Sequence, residues 1–391
     1  MAFYQNKGKI PRKKHTTYYK KDKKSLYREQ LVSTRGFDGI FSTKYHISPP
    51  TQVLDAEEVP GFNVTQWKEA PLMCVHFVTD KIKNPGDFLS ARSTVLFNDQ
   101  VNISTAIISE NTDTIYKNAF AHELIFVHRG KGTFKSDYGN LDFRYGDYLV
   151  IPKGTLFQLE FSSLEKVKLF IVESVAPFEI PKKYRNEYGQ LLEHAPYSER
   201  DFQAPQFVEP IDKKGKFPVT IKAGERWFKY TLDHHPFDLV GWDGFLYPYI
   251  FNIEDFCPIV GKLHQPPPVH LVFTTSHFVV CNFTPRLFDF HPEAIPAPYF
   301  HSNVDSDEVL YYVSGNFMSR KGIKEGAITL HPMGIPHGPQ PGKIEASIGK
   351  KGTNEYAVMV DTFTPLKLTT HARDSRVKEY FRSWIPKTDD R

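Results

Sequence analysis

Two stretches in the last third of the chain hold side chains whose types and spacing can do chemistry. They are His301-Ser-Asn303-Val-Asp-Ser-Asp-Glu308, with Gly315 seven residues on, and Gly326-Ala-Ile-Thr-Leu-His331-Pro332-Met-Gly334-Ile-Pro-His337. Side chains alternate along a strand, so His301 and Asn303 share a face, and a turn through Asp305, Ser306 and Asp307 brings Glu308 onto the next strand beside them. Gly326 and the Pro332-x-Gly334 turn then reverse the chain and return His337 to the same interior. Two imidazoles and one carboxylate on one side of an ion leave up to about three positions of an octahedral shell open. Non-haem Fe(II) oxygenases use that arrangement to hold a substrate and dioxygen together. A structural zinc site closes with four ligands, usually including cysteine, and the nearest cysteine, Cys281, has no partner thiol in the sequence. Each residue alone reads as an ordinary buried histidine or a solvated turn carboxylate. The combination, with its glycines and proline in place, points to an open catalytic metal centre of His301, Glu308 and His337.

Strands must position such a site, and the composition favours them. The chain has 391 residues, 40% hydrophobic and 24% charged, with 14% aromatics and 29 prolines; average proline usage is about 5%. From Leu72 to Ile108, apolar runs such as Cys74-Val-His-Phe-Val78 alternate with Asn-Pro-Gly and Asn-Asp turn signals. His122-Glu-Leu-Ile-Phe-Val-His-Arg-Gly130 and Gly146-Asp-Tyr-Leu-Val-Ile-Pro152-Lys-Gly154-Thr-Leu-Phe157 resemble the second half of a cupin barrel. Where a metal-binding cupin places its last histidine this block has Phe157, which cannot ligate a metal, so it reads as a metal-free copy. The expected fold is therefore mainly β: a bicupin of two double-stranded β-helix barrels, with short helices and an N-terminal arm. Residues 1–250 would form the arm, the degenerate barrel and a connector; residues 251–391 would form the catalytic barrel and a terminal helix. Residues 33–53 read as an ordered surface arm, and residues 176–250, rich in proline and aromatics, as the connector. Its adjacent His234 and His235 point to opposite faces of a strand and are assigned no shared metal. Val377, Tyr380, Phe381 and Trp384, with Pro386 after them, predict a short amphipathic helix docking on the barrel.

Other features narrow the function class. Cys74, Cys257 and Cys281 are odd in number and lack metal-type spacing, which predicts buried, inert thiols and a reducing, cytoplasmic setting. No run of about 18 apolar residues exists, so no membrane span and no export are expected. The net charge is +4, much of it from the lysines and arginine between Lys7 and Lys24. With no recognition module elsewhere, that run reads as a solvated or subunit-contacting surface and not a nucleic-acid arm. Eight of the 16 histidines lie at or beyond His264, and His270, His277 and His291 among them have no derivable role.

Further motifs carry a resemblance over most of the chain: Pro236 to Gly244, Pro298-Tyr-Phe-His-Ser-Asn303 leading to Glu308, Pro336-His-Gly-Pro339, Gly8-Lys-Ile-Pro-Arg12 and Tyr27-Arg-Glu-Gln30. The sequence resembles the homogentisate 1,2-dioxygenase family, in a shorter bacterial form. The resemblance implies Fe(II) held by His301, Glu308 and His337, and the conversion of homogentisate and O2 to maleylacetoacetate in tyrosine and phenylalanine catabolism. It implies a catalytic base at His264, in Leu263-His-Gln-Pro-Pro267, and a substrate-positioning group at His331, with His337 and position 317 also beside the substrate. A histidine titrates near neutrality and suits removal of a phenolic proton. It further implies a homo-oligomer, a trimer or a hexamer built from trimers, in which the basic arm could serve subunit contact.

The chain departs from the family pattern at two places. Phe317 stands where the family commonly has a tyrosine reaching the substrate, so one hydroxyl hydrogen bond is lost or supplied elsewhere, with a cost in discrimination. The spacing from His301 to Glu308 is one residue longer than in the animal form. A related hydroquinone or gentisate therefore stands beside homogentisate as substrate. A cupin-type metal-dependent isomerase and a non-catalytic bicupin binding an aromatic ligand are the readings from other classes.

Overall fold

The computed structural model describes residues 3–36, 38–62 and 64–386. Strands dominate, helices are few and short, and the core is two barrels packed sheet to sheet. In the first barrel, His122–Arg129 lies antiparallel between Asp147–Ile151 and Val167–Ser174. Because side chains alternate, Ile125, Val127, Leu149, Ile151, Leu169 and Ile171 point inward, where they meet Phe134, Leu141, Phe157 and Leu159 of the facing sheet. This interior is apolar except at one end, where Glu123, Glu173 and Arg92 are buried together. The alternate residues Leu124, Phe126, Tyr148, Val150, Phe170 and Val172 point outward and form one core with Val309, Tyr311, Val313, Ile328, Leu330, Val358 and Val360 of the second barrel. Tyr311 stacks on Phe170 with centroids 4.4 Å apart, and its hydroxyl meets His128 Nδ1 at 2.6 Å.

The second barrel has one regular wall: Leu271–Thr274, Phe278–Phe283, Tyr356–Thr362, Asp307–Ser314, Ile328–His331 and Val75–Phe77, in that order. The opposite wall is loop, closed by the two-residue strands Arg286–Leu287 and Gly352–Thr353 and by a bridge between His301 and His337. The barrels also exchange strands. Val75–Phe77 joins the second barrel's sheet, while Lys367–Leu368 joins the first barrel's sheet on Ser93–Phe97. Gly315 ends Asp307–Ser314 at φ +94°, and a Cβ there would collide with the Asn354 carbonyl, so this turn requires glycine.

Four expectations need correction. Residues 176–250 are more than a connector: Lys214–Ala223 and Arg226–His234 form a hairpin that extends the first barrel through a parallel pairing with Ile115–Asn118. Its side chains are partly exposed on both faces, which hides the period-two pattern. The segment read as a surface arm contains Phe41–His46, buried in five of six residues, inside a four-stranded sheet with Gln5–Gly8, Leu239–Gly244 and Arg28–Ser33. The tail is not one helix. Thr370–Ser375 is α-helical, the chain then bonds Val377 N to His76 O, and Tyr380–Trp384 forms a separate 3-10 turn, with residues 387–391 outside the described residues. Of the cysteines, Cys74 and Cys281 are buried and burial pushes both thiols up, Cys74 to about 11, but Cys257 is exposed. Among the described residues no helix is long and apolar enough to cross a membrane.

Candidate metal centre

The strand Asp307–Ser314 alternates its side chains between the inter-barrel core and the second barrel's interior. Val309, Tyr311 and Val313 go to the core; Glu308 opens the other face. Glu308 pairs in register with His331 on one side and Asp361 on the other. Asp307 holds the turn that follows His331, its two carboxylate oxygens accepting from Met333 N at 2.8 Å and Leu366 N at 2.7 Å. That turn delivers His337 to the His301 backbone, where the two residues exchange N–H···O bonds of 2.8 and 2.9 Å. The result brings one ligand atom from each of His301, Glu308 and His337 within 4.8 Å of one another.

Hydrogen bonds decide which imidazole atoms face Glu308. His337 Nδ1 donates to Ile335 O at 3.0 Å and His301 Nδ1 donates to Tyr299 O at 3.2 Å, since a carbonyl can only accept. Both rings therefore turn Nε2 toward Glu308, at 3.4 Å for His337 and 3.5 Å for His301. His337 Nε2 is buried and has no hydrogen-bond partner. Two imidazole lone pairs aimed at a carboxylate are all acceptors, and a cation satisfies all three at once. The donor set fits a metal ion, with an outer hydrogen bond fixing each imidazole. His301 is the more open of the two histidines, its side chain 33% exposed against 1% for His337, so the approach lies on that side.

His331 occupies a different place from the substrate-positioning role expected of it. It has no exposed surface, stacks on His337 with centroids 4.3 Å apart, and bonds Glu308 Oε1 through Nδ1 at 2.7 Å. Burial pushes it down to about 4, so the ring is neutral near pH 7. Arg320, always a donor, meets Nε2 at 3.3 Å, which fixes the proton on Nδ1. His331 thus orients the carboxylate from behind, and Asn303 Nδ2 donates to the other oxygen at 3.3 Å. Phe317 does not join the three ligands: it is buried against Tyr312 and Ala327. His264 lies in an exposed loop, its ring 5.5 Å from Tyr299, whose ring is 6.1 Å from His301. His270 is half-buried over Phe283 and pushed down to about 3, chiefly by desolvation of its ring, and His291 and His277 belong to turns. His234 bonds Asp233 and His235 accepts from Phe237 N, so neither shares a metal. Arg320 and Asp361 carry no local sequence signal, because cross-strand register brings Asp361 beside Glu308 and a loop brings Arg320 to His331.

Proton and metal compete for this site. The contact with Glu308 raises His301 above its ordinary value, and burial, which alone would raise Glu308, is outweighed by the surrounding imidazoles of His301, His331 and His337, which hold it well below the carboxylate range. Binding a metal must displace the proton that His301 holds in the metal-free protein, so affinity is lost as pH falls through the raised His301 value. Chelator-competition titrations between about pH 6 and pH 8 should show affinity rising with pH; a flat profile would contradict the assignment of His301 as ligand.

The first barrel contains the same corner in other residues. His301, Asn303, Glu308 and Gly315 follow Tyr116, Asn118, Glu123 and Gly130 at a constant offset of 185 residues, as 116 to 301 shows. Asn118 Nδ2 bonds Glu123 as Asn303 bonds Glu308, and Gly154 N bonds Asn118 O as Gly334 N bonds Asn303 O. His122, at the place of Asp307, accepts from Lys153 N as Asp307 accepts from Met333 N. Tyr116 pairs with Phe157 where His301 pairs with His337. Glu123 therefore keeps the carboxylate, but aromatic rings replace both imidazoles, and Phe157 packs on Phe134, Tyr116 and Phe88. The cation facing Glu123 is Arg92, which forks onto its two oxygens at 2.7 and 3.2 Å.

Residues 44–253 match the family model described as homogentisate 1,2-dioxygenase N-terminal, and residues 264–390 match the C-terminal one. A chain from Saccharolobus solfataricus that carries only a provisional dioxygenase name is 42% identical over 98% of this chain and 99% of its own length. Homogentisate 1,2-dioxygenases of Bradyrhizobium diazoefficiens and Oryza sativa subsp. japonica are 26% and 28% identical over 69% and 68% of this chain. The match spans 62% and 60% of those two proteins, less than two thirds of either.

Proposed function

The chain belongs to the homogentisate 1,2-dioxygenase family, and from that premise we propose that it is an Fe(II)-dependent ring-cleaving dioxygenase that converts homogentisate and O2 to maleylacetoacetate. The observation that carries this reading is the convergence of His301, Glu308 and His337, each with its lone pair or charge turned to one point beside a half-exposed ring. Fe(II), when bound there, supplies the one-electron chemistry through which triplet O2 can react with a closed-shell ring. The protein's own groups do the rest. His331, Asn303 and Arg320 hold Glu308 in its orientation, and the carbonyls of Tyr299 and Ile335 hold the two imidazoles. His264, in the exposed loop next to Tyr299, is the proposed base that takes the phenolic proton as the substrate binds.

The partners proposed are a small aromatic substrate, O2 and further copies of the same chain, as a trimer or hexamer. Leu263, Phe290, Phe300 and Val304, all near the approach in sequence, are each more than 60% exposed, which supports burial of this region by another copy. The three unpaired cysteines support a cytoplasmic setting. A second ring substrate, gentisate or plain hydroquinone, is favoured by Phe317, which offers no hydroxyl and is buried.

Oxygen uptake by the anaerobically Fe(II)-reconstituted protein, with homogentisate, gentisate and hydroquinone in turn and His337→Ala as control, tests the proposal. We expect uptake with homogentisate, about one O2 per ring since both atoms enter the product, and silence in the control. Uptake with another ring alone would move the substrate. Silence with all three despite bound iron would favour an isomerase or a binding protein.

A further inference from the structure

The two barrels differ most at the position beside the carboxylate. Glu123 pairs in register with Glu173, and Glu308 pairs in register with Asp361. Two carboxylates so placed on one face of a sheet repel unless cations stand between them. In the first barrel they do: Lys222 Nζ lies 2.6 and 2.7 Å from the two Glu173 oxygens, Arg92 lies 3.5 Å from Glu173, and Asn118 donates to it at 2.8 Å. In the second barrel Glu308 is met by His301, His331 and His337, but no lysine or arginine pairs with Asp361 among the described residues. Asp361 Oδ1 is shut off from solvent with no hydrogen-bond partner, and no ion pair forms at its other oxygen among the described residues. Its strand alternates, so that Val358 and Val360 face the inter-barrel core while Asp361 and Met359 face the barrel interior beside Glu308. An acceptor buried without a donor is costly, about 1–3 kcal/mol for a neutral group and more for a charged one, and a donor brought by a ligand removes that cost.

We propose that Asp361 is a specificity-determining residue that accepts a hydrogen bond from the substrate hydroxyl not bound to the metal. This inference rests on the aromatic-substrate reading above. The metal and its open positions take the anionic oxygens of an aromatic diol, which leaves one phenolic O–H as the substrate's remaining donor. A carboxyl oxygen next to Glu308 accepts from that O–H and disfavours a second carboxylate, so it orients the ring with its acidic arm away from Asp361.

The test uses the full-length protein loaded with Zn(II), which does not consume the ligand. Homogentisate and 2-hydroxyphenylacetate, which lacks only the second hydroxyl, are titrated calorimetrically against the unaltered protein, Asp361→Asn and Asp361→Ala. Zinc content and melting temperature are measured alongside. We expect homogentisate to bind about tenfold or more tighter than the monohydroxy analogue, and this preference to shrink in Asp361→Asn and vanish in Asp361→Ala. Zinc content should stay at one per chain and the melting temperature should hold or rise, because the variant removes a carboxyl oxygen shut off from solvent without a partner; a structural residue would lower it. A preference that survives in Asp361→Ala would overturn the inference while leaving the aromatic-substrate reading intact. Failure of the unaltered protein to bind either ring would overturn both.

Discussion

Glu308→Gln is expected to lose iron binding and dioxygenase turnover together, with activity at or below about one-thousandth of the unaltered enzyme, a barrier increase of about 4 kcal/mol. Glutamine nearly matches the shape of glutamate, and its amide can donate to the histidine lone pairs that the metal would otherwise take, so the variant should fold. It removes the one negative charge among the three ligands, and with it the charge that holds His301 and His337 to a cation. His331→Phe is the informative comparison. Phenylalanine keeps the buried ring on His337 but removes the Nδ1 donor to Glu308 and the acceptor for Arg320. Groups that orient ligands without touching the metal typically cost about 10- to 100-fold when lost, so iron affinity should fall by that much, not vanish. Anaerobic iron titration of both variants, with oxygen uptake on the same samples, separates the two effects. One iron per chain and more than about a tenth of the activity in Glu308→Gln would remove Glu308 from the ligand set.

What the sequence made legible was whatever local spacing controls. His301, Glu308 and His337 could be brought together from strand alternation and one Pro-x-Gly turn, and the structure brings them together, although His301 does so from a loop through an isolated bridge to His337 and not from a strand. Phe157 could be read as ending any metal site in the first block, and it lies in an apolar core. The role of His331 could not be read the same way. Its neighbours Glu308 and Arg320 reach it across strands and a loop, and total burial cannot be deduced from a histidine followed by proline. The hairpin Lys214–Ala223 and Arg226–His234 was missed because neither face is cleanly apolar, and the strand Phe41–His46 because both faces are covered, so neither shows a period of two. The repeat of Tyr116-x-Asn118 and Glu123 as His301-x-Asn303 and Glu308 was present in the sequence. It does not stand out because the ligand positions differ in residue type, and what recurs is an asparagine, a glutamate and glycines that hold the corner in shape.

That repeat leads to the last expectation, in the barrel where aromatic rings stand at the two imidazole positions. Arg92→Leu should destabilise the protein by about 3–5 kcal/mol, the usual result of removing one partner from a buried ion pair. Glu123 and Glu173 are 1% and 4% exposed at the side chain, and Arg92 and Lys222 are the cations that meet them. Arg92 forks onto Glu123 and lies over the Phe88 ring at 4.1 Å and the Tyr116 ring at 5.3 Å, so its guanidinium faces the carboxylate in the corner that corresponds to the metal centre. With leucine there, two buried carboxylates share one lysine, and one of them must protonate or take in water. The loss should be measurable by urea unfolding followed at the first barrel, while iron content and turnover per folded chain stay near those of the unaltered protein, because Arg92 touches none of His301, Glu308 or His337. Adding Glu123→Gln to Arg92→Leu removes the uncompensated charge and should recover part of the lost stability. If Arg92→Leu unfolds at the same urea concentration as the parent, Glu123 is not held by an arginine doing electrostatically what a metal ion would do in the other barrel. If the double variant is the more stable of the two, the stabilising element is the balance of charge in that corner and not the arginine's packing.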